Sequence, residues 1–223
     1  MKTLVIIPCY NEMVVIRQTV TQVLDAGYEV AVIDDGSDEN ILQQLEGLPI
    51  HYLRHDVNLG QGAALQTGME YALAQGVEIV VHFDADGQHQ AEDISIMIEP
   101  IDTGQVDVVL GSRFMNSNHA KSIPFNRKLL LQMARYTNLL FTGLWLTDAH
   151  NGFRALNRKA MQTIRITENG MGHAIEILQQ IKTHKLTYCE RPTQVVYTEY
   201  SKKKGQSLWN AVNIFIYLVL NRK

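Results

Sequence analysis

Three runs of mostly β-branched residues in the first ninety positions each break off into polar, acid-bearing sequence, and that arrangement leaves few folds open. Leu4-Val5-Ile6-Ile7 leads into Pro8-Cys9-Tyr10-Asn11-Glu12, Val30-Ala31-Val32-Ile33 into Asp34-Asp35-Gly36-Ser37, and Ile79-Val80-Val81-His82-Phe83 into Asp84-Ala85-Asp86-Gly87-Gln88. Runs that are apolar at consecutive rather than alternate positions read as strands buried on both faces. Helical spacing fills the gaps. Residues 13–26 carry Val15, Val20, Val23 and Leu24 at that spacing and end before Gly27; residues 60–75 do the same with Ala63, Ala64, Leu65, Met69, Ala72 and Leu73. A short helix over 38–45 is expected, capped by Ser37 or Asp38, and another over 91–101, with further strands at 51–54 and 107–111. Strand and helix alternating in this way predict an α/β fold, a mostly parallel sheet flanked by helices. In such sheets ligands bind beyond the carboxyl ends of the strands, where all three polar clusters fall.

The third cluster has the most specific chemistry. Side chains alternate along a strand, so Asp84 and Asp86 should point the same way and converge. Two carboxylates held close repel, and one would take up a proton unless a hard divalent cation removed the penalty and offered open positions to phosphate oxygens. Gln88 adds a neutral oxygen. Paired acids also occur in solvated turns, so the pair gains weight only from the rest of the chain.

Composition narrows the function classes. With 223 residues, 46% of them hydrophobic, the chain can bury the core of one domain. A net charge of −3 argues against nucleic-acid binding, which needs a broad positive field. Cys9 and Cys189 are the two cysteines and match no zinc spacing, so free thiols in a reducing compartment are expected. The first apolar run is too short for a secretory signal, and no run reaches the ~18 residues of a membrane span. A cytoplasmic protein is expected.

After Gly111-Ser112-Arg113 the pattern changes. Residues 117–124 are rich in polar residues and breakers, 127–144 read as a long helix, and 147–156 as a turn entering a strand. A helix around 173–183 follows, then extended stretches at 187–191 and 194–197, a basic loop Lys202-Lys203-Lys204-Gly205-Gln206-Ser207, and an apolar helix over 208–220. No repeat or linker marks a second domain.

Taken in order, Pro8-Cys9-Tyr10-Asn11-Glu12, Asp34-Asp35-Gly36-Ser37, Asn58-Leu59-Gly60, Asp84-Ala85-Asp86, Gly111-Ser112-Arg113 and Asp148 with Gly152-Phe153-Arg154 resemble the motifs of family 2 glycosyltransferases, in particular their polyprenyl-phosphate branch. The resemblance covers most of residues 3–207. It implies the nucleotide-sugar-binding GT-A fold in a single domain: a nucleotide-sugar-binding half over 1–113, an acceptor half over 114–207 and a C-terminal apolar helix over 208–223. It implies further that Pro8, Tyr10 and Glu12 line the base and ribose and that Asp35 binds the base. Asp84 would lie beside ribose and metal, and Asp84, Asp86 and Gln88 would hold Mg²⁺ or Mn²⁺ against the diphosphate. Packing for Tyr10 and a helix-dipole role for Glu12 are the plain alternatives.

The same resemblance places Asp148 with Asp86 in the chemistry, Asp148 near the acceptor as a base. A polyprenyl phosphate is already anionic near neutral pH, however, so orienting it could suffice. A turn cap before Asn151-Gly152 is the alternative. Arg113 and Arg154 have the fork geometry for phosphate, though either could pair with a core acid. His173 and Glu176 lie one helical turn apart, and an ordinary helix-face pair is favoured over a metal pair, with Glu176 near the sugar. Lys202 opens the basic segment that would close over the diphosphate; Leu208 stands where the branch has a Lys.

The expected activity is therefore inverting transfer of a hexose from UDP- or GDP-hexose to a polyprenyl phosphate, at the inner face of the membrane. The helix over 208–220 would lie on lipid or against a small integral membrane protein. Two rivals stand beside it: transfer to a saccharide hydroxyl, and a non-catalytic nucleotide-sugar-binding subunit.

Overall fold

The computed structural model describes residues 1–115, 139–140, 142–148 and 151–196. Seven strands form one sheet: β1 (Thr3–Cys9), β2 (Glu29–Asp34), β3 (His51–Arg54), β4 (Ile79–His82), β5 (Val108–Ser112), β6 (Arg154–Asn157) and β7 (Tyr188–Pro192). Their order across the sheet is β3-β2-β1-β4-β6-β5-β7. All neighbours run parallel except β6, which pairs antiparallel with both β4 and β5.

The reading of both-face burial holds at the level of single residues. Leu4 and Ile6 join the core on one side of β1 and Val5 and Ile7 that on the other, as a period of two requires. Each such side chain contributes roughly 1.5–3 kcal/mol when fully buried. Helix α1 (Ile16–Asp25) covers the second side with Ile16, Thr19, Val20 and Val23, and its chain turns at Gly27, where φ is +87°. Helix α3 (Gln61–Ala74) covers the first, pressed so close that a Cβ on Gly68 would lie 2.5 Å from Ile6 Cγ2. Helix α4 (Ile94–Asp102) follows a 3₁₀ turn at Ala91–Asp93.

Local details depart from the sequence reading. Helix α2 is only Ile41–Gln44 and carries no side-chain cap; Ser37 Oγ instead accepts from Asn11 N at 2.9 Å. A helix not foreseen, α5 (Arg158–Thr163), leaves β6 directly, started by Asn157, whose side chain accepts from Ala160 N. Six residues are too few for periodicity to register. Helix α6 (His173–Thr183) falls where expected. The loop at 117–124, most of the helix at 127–144, the basic segment with Lys202 and the apolar run at 208–220 lie outside the described residues.

Candidate active site

The carboxyl ends of β1, β2 and β4 bring the three polar clusters to one edge of the sheet, and there their acids have different fates. After β2, Asp34 accepts from Ser37 N at 2.9 Å and from Tyr52 Oη at 2.6 Å, with Arg54 Nη1 at 3.3 Å. Asp35 accepts from Leu59 N at 3.0 Å and Gly60 N at 2.7 Å, and lies 2.7 Å from His55 Nδ1. The carboxylate assigned to a base is thus engaged in fastening the loop that starts α3. The loop after β1 is laced to the one after β2, Asn11 and Asp38 exchanging two bonds of 2.9 Å. Tyr10 lies beside it, 41% exposed. Glu12 is half-buried and its carbonyl accepts the first turn of α1, whereas Pro8 is buried inside β1.

Asp84 and Asp86 do converge, but by a turn. Strand β4 ends at His82, and residues 85–87 curl back through Gly87 at φ +72°. Asp84 accepts from Gln61 Nε2 at 3.0 Å and lies 3.1 Å from His89 Nε2; Asp86 accepts from Gln88 N at 3.0 Å and Gln88 Nε2 at 2.6 Å. Burial pushes Asp84 up, but the His89 hydrogen bond and nearby Arg154 outweigh it and hold this carboxyl below its ordinary value. Asp86 is raised, by burial first and then by the charges of Asp84 and Glu12. One acid of the pair is held ionised and its neighbour resists ionisation. Gly152 makes room for this: a Cβ there would stand 2.6 Å from Asp84 Oδ2.

A divalent cation fits this arrangement. Repulsion between two half-buried carboxylates is what such an ion relieves, and Gln88 would offer its oxygen if its amide turned over. Among the described residues no group of three or more His, Cys, Asp or Glu could hold a metal, so the remaining ligands would have to come from a substrate's phosphate oxygens and water.

On the far side of β4 the acid is fully paired. Asp148 is 5% exposed and grips Arg113 by Nε at 2.6 Å, Nη2 at 2.7 Å and the backbone N at 3.1 Å. The fork offered to a phosphate is bound to this acid. Arg154 is 2% exposed and faces the charges of Asp84 and Asp148; burial lowers it to about 10. Its Nη1 finds no partner among the described residues, and neither do the ring nitrogens of His82, the residue opposite it on β4. Burial, then Arg154, depress His82 to about 3, so it stays neutral. Glu176 closes the turn at 167–168, accepting from Thr167 N, Thr167 Oγ1 and Glu168 N, and His173 Nδ1 sits 2.7 Å from Gly170 O. Neither is turned to a metal.

Four participants were not visible in the sequence. Gln61 and His89 hold Asp84, Glu190 holds the turn before Asp148, and Val196 N donates to Gln88 O at 2.9 Å, tying the approach to residue 197 onto the acidic turn. Only His89, five residues after Asp84, carried a local signal.

Comparison with known proteins gives the family and the fold. The family profile described as Glycosyl transferase family 2 matches residues 4–165. A UDP-N-acetylglucosamine--dolichyl-phosphate N-acetylglucosaminyltransferase of Methanococcus voltae is 31% identical over 96% of this chain and 94% of its own length. A polyprenol monophosphomannose synthase of Mycolicibacterium smegmatis is 29% identical over 95% and 84%. Among solved structures, the glucosyl-3-phosphoglycerate synthase of Mycobacterium tuberculosis, crystallised with Mn²⁺, UDP and phosphoglyceric acid, superposes with a TM-score of 0.69 at 15% identity, over 91% of this chain and 73% of that one. At that identity the likeness concerns the fold, which is GT-A.

Proposed function

The chain belongs to glycosyl transferase family 2, and from that premise we propose that it moves a hexose, with inversion, from a nucleotide sugar to the phosphate of a polyprenyl phosphate. The observation that carries this reading is the contrast at the sheet edge: Asp34, Asp35 and Asp148 are saturated by internal partners, while Asp84 and Asp86 remain a mutually repelling pair. A pair left in that state suits a site whose counter-charge arrives with the donor.

Asp84, Asp86 and Gln88 would hold Mg²⁺ or Mn²⁺. When bound, the ion neutralises charge on the departing nucleoside diphosphate. Tyr10 offers a flat face to the base, with Glu12 and the backbone around Asp35 beside the ribose. Lys202, outside the described residues, would reach the diphosphate. The acceptor's phosphate oxygen attacks the anomeric carbon as the bond to the nucleoside diphosphate breaks. No proton need leave that nucleophile near neutral pH, so no base is required. A paired Asp148 agrees: with both oxygens on Arg113 it is a holder of a guanidinium, not a free base. That weighs against a saccharide hydroxyl as acceptor. Arg113, so held, and the buried charge of Arg154 supply positive potential toward the acceptor phosphate. No helix among the described residues is long and apolar enough to cross a membrane. Contact with the inner leaflet, or with a small integral membrane protein, is assigned to the run at 208–220.

The test is direct. UDP- and GDP-hexoses are each mixed with a polyprenyl phosphate in detergent, with Mn²⁺, Mg²⁺ or EDTA, and sugar in the organic phase is counted with nucleoside diphosphate release. Metal-dependent, equimolar appearance of both is expected. Release without lipid glycosylation, or transfer only to oligosaccharide, overturns the assignment.

A further inference from the structure

Glu190 sits in β7, the edge strand, opposite Leu110 of β5. Its carboxylate serves neither the sheet ladder nor, among the described residues, any ion pair. It reaches instead to the turn before β6. Thr147 N donates to it at 2.9 and 3.0 Å, Thr147 Oγ1 at 2.7 Å and Asp148 N at 3.2 Å. Thr147 and Asp148 belong to no helix or strand, so no ladder would hold these N–H groups in place. Thr147 Oγ1 also lies 2.6 Å from Ser112 Oγ, at the end of β5 and next to Arg113. From Glu190 the chain of contacts runs through the 147–148 turn to the Asp148 carboxylate and on to the Arg113 guanidinium.

We propose that Glu190 is a positioning residue for the acceptor side of the site: by gathering the N–H groups of Thr147 and Asp148 onto one carboxylate, it fixes where Asp148 holds Arg113. Hydrogen bonds to an ionised acceptor are the short, strong ones, and here several converge on a segment with no regular structure of its own. The inference rests on the reading that Arg113 and Asp148 face the acceptor. The donor residues Asp84, Asp86 and Gln61 make no hydrogen bond to Glu190 or its turn, so its loss falls on one substrate and not on both.

The experiment measures kcat and KM for donor and for polyprenyl phosphate in E190A and E190Q, each alone and combined with D148N. E190A is expected to lower kcat/KM for the lipid phosphate about 10- to 100-fold, the range for a misplaced contact, with donor KM within about twofold. E190Q, whose amide oxygen still accepts from the turn, is expected to stay within about fivefold of wild type. In the D148N background E190A should add almost nothing, because residues acting as a unit are not additive. Equal losses toward both substrates, or losses that multiply with D148N, overturn the proposal; should E190A fail to fold, E190D, whose carboxylate is drawn back from the turn by one methylene, takes its place with the same expected and overturning results. If the wild-type protein transfers no sugar to lipid phosphate, the acceptor reading falls by itself. A crystal structure of E190A then decides: a displaced Asp148–Arg113 pair upholds the positioning role and an undisturbed one overturns it.

Discussion

Two acidic sites, one following β4 and one beside the end of β5, are built on opposite principles. On the side proposed for the donor, Asp84 and Asp86 receive hydrogen bonds from neutral amides, a backbone N–H and an imidazole, and burial together with the charge of Asp84 raises Asp86. On the side proposed for the acceptor, Asp148 is buried and bound by both arms of one guanidinium. The first is electrostatically incomplete and the second is closed. Incompleteness costs stability and confers ligand affinity; closure gives rigidity and leaves little for a cation to add.

Neutralising each site in turn breaks or sharpens that contrast. Asp86→Asn should lower metal-dependent transfer by about 10³-fold, the scale of losing charge stabilisation at a leaving group. It should also raise the melting temperature in EDTA. Asp86 ionises less readily folded than unfolded, so at neutral pH its charge works against the fold. Rates within about tenfold of wild type, or a melting temperature that falls, would remove the distinction.

Asp148→Ala should do the reverse to stability, costing about 3–5 kcal/mol in urea unfolding because the buried Arg113 loses the carboxylate that grips its Nε and Nη2. The double variant with Arg113→Met should recover much of that loss. If the single variant costs under about 1 kcal/mol, the acceptor side is not the closed site described here.

Gly152→Ala probes the boundary between the two. Its Cβ would meet Asp84 Oδ2 at 2.6 Å, so transfer should fall roughly 10- to 100-fold by displacing that carboxylate. Circular dichroism and melting should change little. Unaltered Mn²⁺ affinity in this variant would show that Asp84 does not need the space.

The smallest effect belongs to an acid at the opposite end of the sheet. Asp107 starts β5 and is bonded by Thr187, Lys159 and Asn157; burial alone would raise it, yet these bonds bring it down to about 2. Its folded value lies below the ordinary 3.8, so its contribution is present above about pH 4 and is lost as pH falls toward 2. Asp107→Asn should cost about 1 kcal/mol at neutral pH. It should flatten the acid limb of a stability profile and leave transfer unchanged.

Much of this was legible before any coordinates. Consecutive β-branched residues marked β1, β2 and β4, and Asp84 with Asp86 was singled out as a pair whose charges conflict. The route to that pairing was not legible, since a turn rather than strand alternation produces it. The resemblance implied ligand contacts for Pro8 and Asp35, and fork geometry suggested them for Arg113 and Arg154 with a core acid as the alternative; the structure adds that Pro8 is buried in β1, Asp35 fastens the start of α3, Arg113 clasps Asp148 and Arg154 is buried near the charges of two carboxylates. A functional group's type can be read from sequence; whether its valence is already filled cannot.

By itself, then, the sequence determined which segments are buried on both faces and that acids follow them, because burial pattern and chain reversal are encoded within a few neighbouring residues. The tertiary structure alone decided that β6 enters antiparallel between β4 and β5, placing Arg154 opposite His82. It alone decided which acids are closed: Asp148 meets Arg113 from 35 residues away and Glu190 meets Thr147 from 43. Hydrogen-bond satisfaction is settled by distant partners, and an acid's availability to a ligand is what remains after they have been assigned.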